Sequence, residues 1–176
     1  DPKINPDYKD FDPRAEFFST TEEFGGRKFD LIMCSFVLHH LEEKEIDEVI
    51  QVMKNSLNPN GKILILEETI PDVLTNELET NSNMFLKNIG YESSKSLNLQ
   101  FSKLSIKQRF EALYINDVLI NYKNLDYIPW TKTYRTMESW EILFQSKGLS
   151  TKEEYYFGAI EQGRLKQGMT GMFLLT

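Results

Sequence analysis

The sequence predicts an α/β fold in which a mostly parallel sheet ends in an antiparallel last strand and carries a helical insert. Three observations carry this. Residues 29–36 and 62–68 are short, nearly continuous apolar runs, the form taken by strands buried on both faces of a parallel sheet. Between them Ile46, Val49, Ile50, Met53 and Leu57 recur three or four apart, with Glu42, Glu43, Lys44, Glu45, Asp47 and Glu48 on the other face, which describes an amphipathic helix. A strand–helix–strand unit of this kind is right-handed and keeps its working edge at the carboxyl ends of its strands. Those ends are residues 34–39 and 67–69.

In chain order, 7–12 suits the end of an earlier strand, Phe17, Phe18 and Phe24 are available to cover the sheet, and Gly25-Gly26 suits a turn. The crossover helix has acids in its first turn, where the helix dipole favours them. Asn58-Pro59-Asn60-Gly61 stops it, because proline cannot continue the hydrogen-bond ladder. After the second strand, 71–80 reads as loop and helix start, 83–90 as a short helix ended by Gly90, and 92–96 as a polar break. Leu104, Ile106, Phe110, Leu113, Tyr114, Val118, Leu119 and Tyr122 describe a helix of four to five turns, and 127–130 adds aromatics. Thr136 is placed to cap a helix over 137–147 with Gly148 at its carboxyl end, Trp140, Leu143 and Phe144 being its buried stripe. Strands follow at 149–157 and 169–175, with a glycine-containing turn at 158–168. The resulting division is an α/β core of 1–71 and 132–176, with 72–131 as an insert over the carboxyl edge, serving as lid or substrate platform.

A chain of 176 residues is long enough for one domain with a core, and 40% apolar with 27% charged is ordinary for a globular protein. No apolar run approaches the roughly 20 residues of a membrane span, so no membrane partner is expected. A single cysteine, Cys34, excludes an internal disulfide and favours a reduced, cytoplasmic setting, with the thiol as a small core group. The net charge of −7 argues against nucleic-acid binding through the whole surface. The bias is concentrated in 1–71, with 8 basic against 15 acidic residues, whereas 72–135 has 8 against 7.

The run FDLIMCSFVLHHL, followed by LNPNGKILILEE, resembles the fourth strand and the helix–fifth strand junction of class I S-adenosylmethionine-dependent methyltransferases, with Asn60 in place of the commoner second glycine. The helix pattern Glu138-x-Trp140-x-x-Leu143-Phe144 and then Gly148-Leu149 is similar to the family's approach to its sixth strand. The resemblance covers about 10–70 and 134–176. It implies a Rossmann-like sheet, S-adenosyl-L-methionine as cofactor, and methyl transfer. By motif position it implies cofactor contacts from Cys34, Ser35, Phe36 and His39, and from Asp12 to the adenine, a residue that equally reads as a solvated turn acid; His39, as a general base, and Glu67, at the strand end, are the candidate catalytic residues. His39 and His40 also admit a plainer reading, one at the strand edge and the other in the helix–sheet interface. Glu67 and Glu68 point to opposite faces, so only one is expected at the pocket. No metal ligand spacing is evident.

The family's glycine-rich loop and the acid that holds the ribose are absent before residue 29. This suggests that the missing amino-terminal half of the domain lies upstream or on a partner chain. An acidic core and a nearly neutral, aromatic insert favour a small-molecule acceptor. Two alternatives stand beside it. One is an RNA (cap) methyltransferase using Lys103, Lys107, Arg109, Lys123, Lys132 and Arg135 as a local patch. The other is a non-catalytic interaction or regulatory module.

Overall fold

The computed structural model describes residues 26–121, 133–162 and 165–176. Along them run β1 (Phe29–Ser35), α1 (Glu43–Asn55), β2 (Leu57–Ile70), α2 (Asn76–Asn88), α3 (Lys95–Ser102), α4 (Ile106–Asn121), β3 (Arg135–Thr136), α5 (Met137–Ser146), β4 (Thr151–Gln162) and β5 (Leu165–Leu175). A single 3-10 turn, Leu38–His40, links β1 to α1. Asp12, the phenylalanines before residue 25 and the aromatics of 127–130 lie outside the described residues.

The sheet has the order β1-β2-β5-β4, with the short β3 joined to β2. β1 and β2 are parallel neighbours, in register from Leu31↔Lys62 to Ser35↔Leu66. β5 runs antiparallel to both β2 and β4. The expected α/β fold, a crossover of adjacent parallel strands closed by an antiparallel last strand, is therefore present.

α1 starts at a capping box: the Glu42 amide donates to Glu45 Oε2 at 2.7 Å, and the Glu42 side chain accepts from the amide of Glu45. Its buried residues Ile46, Ile50 and Met53 meet Ile63 and Ile65 of β2, Trp140 and Phe144 of α5, and Phe173 and Leu175 of β5. α5 begins where the sequence places it, Thr136 accepting a bond from the Ser139 amide at 3.2 Å. On the opposite side of the sheet, Leu86 of α2 packs with Phe157 and Met172. Leu113 of α4 packs there with Ile70, Ala159 and Met169. Helices thus lie on both faces, and among the described residues none is long and apolar enough to cross a membrane.

Several boundaries differ from the sequence expectations. β2 begins at Leu57, so Asn58-Pro59-Asn60-Gly61 ends the helix and also enters the strand. Phe29 pairs with Leu57 before the register shifts, and a Cβ on Gly61 would stand 2.8 Å from the Phe29 carbonyl oxygen; the close approach needs glycine. α2 starts at Asn76 because Thr75 caps it, accepting from the Leu78 amide at 3.1 Å. α3 occupies a stretch where no helix was expected. It is held from outside: Asn98 Oδ1 accepts from the Ala159 amide at 2.8 Å and the Ser94 amide donates to the Ala159 carbonyl at 2.8 Å. The expected turn at 158–168 is strand on both sides, since β4 passes through Gly158 with register shifts rather than stopping there.

Candidate functional site

Polar groups converge where β1 ends beside Glu67 and Glu68 of β2, which itself runs on to Ile70. Phe36, immediately after β1, donates its amide to the Leu66 carbonyl at 2.8 Å and has φ 54°, an unusual conformation for a bulky side chain, of the kind concentrated at functional edges. The chain then turns into Leu38–His40, and the side chain of Glu67 fastens that turn. Glu67 Oε1 accepts from the Val37 amide at 3.0 Å and the Leu38 amide at 2.7 Å, while Oε2 bonds His39 Nδ1. Glu67 is fully buried and His39 is only 2% exposed.

A second tier closes over this pair. The Thr133 amide donates to the His39 carbonyl at 3.2 Å, which brings Tyr134 alongside. The Tyr134 ring stacks on His39 at 5.8 Å between centroids and on Phe110 of α4 at 6.2 Å. Its hydroxyl donates to Glu68 Oε2 at 3.0 Å. His40 lies against His39, ring centroids 4.0 Å apart, and Asp117 of α4 is buried close to both histidines. Beyond the stacked rings, Phe110, Glu111, Tyr114, Ile115 and Tyr134 line an open, mainly apolar cavity of about 540 Å³. Another cavity, of about 410 Å³ between α2 and β4, is lined by residues remote from this chemistry, including Thr75, Asn81 and Lys152.

The electrostatics reflect the crowding. Burial alone would lower the pKa of His39, but the bond and charge of Glu67, with the charges of Glu68 and Asp117, hold it above its ordinary value. Burial pushes the Glu68 carboxyl up to about 7, against the charge of His39 and the Tyr134 hydroxyl and with help from Asp117 and Glu67. Burial pushes the Cys34 thiol up to about 12, the Glu67 charge adding to it, so Cys34 stays protonated and is no nucleophile. Displaced pKa values clustered at one edge mark a site where protons can be held or moved.

Cys34, Ser35, Phe36, His39 and Glu67 are thus all gathered at one edge; Asp12 is not among the described residues. Strand alternation sends Glu67 and Glu68 to opposite faces, yet both act on His39, one by contact and the other through space. Sequence reasoning missed Asp117 and Tyr134. The available signal for Asp117 was an acid amid the apolar residues of α4.

The family model described as a methyltransferase domain matches residues 4–63. No curated protein matches the sequence. Among solved structures, the chain is similar to the mitomycin 7-O-methyltransferase MmcR, at 11% identity and TM-score 0.48, over 89% of this chain and 32% of that one. It is similar to an O-methyltransferase family protein from Burkholderia thailandensis, at 16% identity and TM-score 0.45, over 93% and 36%. It is also similar to LepI in complex with SAM, at 13% identity and TM-score 0.44, over 85% and 26%. The chain therefore spans about a quarter to a third of the length of these proteins.

Proposed function

We infer that this chain, which resembles the class I S-adenosylmethionine-dependent methyltransferases and matches a methyltransferase-domain model, serves their reaction: transfer of a methyl group from S-adenosyl-L-methionine to a small-molecule acceptor. The match over residues 4–63, the segment leading into β1 and through its carboxyl edge, carries the reading. When bound, S-adenosyl-L-methionine would supply an electrophilic sulfonium methyl group to the acceptor, with S-adenosylhomocysteine as the product. The protein has mainly to hold donor and acceptor at near-attack distance and to manage the acceptor's proton.

In this reading Cys34, Ser35 and Phe36 would hold the cofactor, mostly through their backbone, and Asp12, outside the described residues, would serve its adenine. His39 activates the acceptor. Both oxygens of Glu67 are engaged, so it acts through His39 as a positioning residue. The segment 72–131 is the insert that covers the edge, and α4 brings Phe110 and Asp117 to it. An aromatic, mainly apolar cavity beside the stacked rings suits a small organic acceptor. Of the basic residues available for an RNA patch, Arg109 is turned onto the carbonyls of Leu104 and Ser102 and Arg135 is paired with Glu43.

Titration of the isotopically labelled chain with S-adenosylhomocysteine, followed by amide NMR, tests this. Binding is expected to be weak, near or above about 1 mM or −4 kcal/mol, because the glycine-rich contacts are not in this sequence. Shift changes should concentrate on the amides of 34–39 and 67–69. Saturating ligand with those amides unmoved would overturn the assignment.

A further inference from the structure

We propose that His39, His40 and Asp117 form a binding site for a divalent transition-metal ion, with Glu67 fixing the first imidazole. Two of these residues come from the turn after β1 and the third from α4, so the site exists only once the helix layer docks on the sheet edge. A nitrogen from each histidine and an oxygen of Asp117 all lie within 4.8 Å of one another. Ligands in adjacent positions around an ion with bonds of about 2.0–2.2 Å stand about 3–3.5 Å apart, so an inward shift of about 1 Å closes the set.

The arrangement around the three side chains is what distinguishes them from a chance cluster. Glu67 occupies Nδ1 of His39, which leaves Nε2 as the ligating atom and reproduces the carboxylate–histidine support that metal-bound imidazoles use. Tyr134 stacks on the His39 ring and is itself anchored to Glu68, which fixes the ring's orientation. His39 and Asp117 are 2% and 6% exposed, so an ion here would be largely shielded from water. Two imidazoles and one carboxylate suit zinc, manganese, iron(II) or cobalt, whereas magnesium and calcium favour all-oxygen sets.

Three protein ligands leave a coordination position open for an oxygen of water or of the acceptor. The use of the ion rests on the methyl-transfer reading: in the loaded protein His39 would activate the acceptor as a ligand, the ion lowering the acceptor's proton affinity. Binding of the ion does not rest on that reading and is measurable without any cofactor.

The test uses the full chain, freed of metal by a chelator, and titrated with Co2+ by calorimetry and visible absorption. One Co2+ per chain is expected, with a ligand-field spectrum, displaced by Zn2+ and unaffected by excess Mg2+. His40→Ala and Asp117→Asn should each weaken binding at least about tenfold, while Lys107→Gln, exposed on the same helix, should leave it unchanged. Far-UV circular dichroism and urea midpoints identify any variant that fails to fold; half-buried His40 gives the milder substitution. Absent binding, or binding equally tight in the folded His40→Ala and Asp117→Asn proteins, overturns the site. Titration with S-adenosylhomocysteine in the presence of chelator tests the methyltransferase reading separately.

Discussion

Glu67 follows Ile63, Ile65 and Leu66 within β2, and its carboxylate takes three donors from the turn after β1: the part-buried amide of Val37, the buried amide of Leu38 and the buried ring of His39. Glu67→Ala leaves the two buried donors, the Leu38 amide and the His39 ring, unsatisfied, and at about 1–3 kcal/mol for each such group the protein should lose several kcal/mol in urea denaturation. Glu67→Gln keeps one acceptor oxygen and should cost clearly less; equal losses would mean that the side chain matters only as packing. The sequence brought His39 and Glu67 forward separately, each from its place at a carboxyl end of the strand–helix–strand unit and from the family resemblance. That they touch was not legible, since contact depends on the 3-10 turn. Cys34 yields a second prediction. Its thiol is held up to about 12 against an ordinary 9.0, so the unfolded chain releases the proton first and the group's contribution to stability declines as pH rises between those values. At pH 8 iodoacetamide should alkylate Cys34 far more slowly in the native protein than in urea; equal rates would show the thiol to be accessible and its burial wrong.

Among elements, those specified by their own residues were the easiest to foresee. α1 and α5 carry their periodicity, caps and stops within their own segments, and α5 starts at Thr136 as expected. α3 was invisible because its anchor, the bond from the Ala159 amide to Asn98, joins it to β4, 61 residues on in the chain. The junction of α1 and β2 was half legible. Asn58-Pro59-Asn60-Gly61 announced the helix stop, but the parallel pairing that also draws these residues into the strand depends on β1. Gly61 is the point where the two demands meet, since a Cβ there would stand against the Phe29 carbonyl oxygen and the Leu57 side chain. Gly61→Ala should therefore force β1 and β2 apart locally and destabilise by about 1–3 kcal/mol, the usual cost of overpacking. A gain in stability, the ordinary result of removing a glycine from a compatible backbone, would show that the contact yields easily.

At the scale of the molecule, the two helix layers are built differently. On one face α1 and α5 share a continuous core with β1, β2 and β5, centred on the fully buried Trp140, Phe144 and Phe173. On the other, α2 and α4 rest on two smaller clusters, around Leu86 and around Ile70 and Leu113, and α4 leaves Ile115 and Leu119 more than half exposed. Opening free energy follows the apolar area a unit buries, so the layers should not open together. Native-state hydrogen exchange in low urea is expected to release amides of α3 and α4 by a sub-global opening with a small denaturant slope. Amides of α1, β2 and α5 should exchange only with global unfolding. Because Asp117 rides on α4, an ion held between it and the histidines should slow the α4 amides and leave the limit set by global unfolding in the α1 group largely in place. A single common isotherm for both layers in metal-free protein would show that the helix layer is part of one cooperative unit, and that its smaller buried clusters do not set its stability.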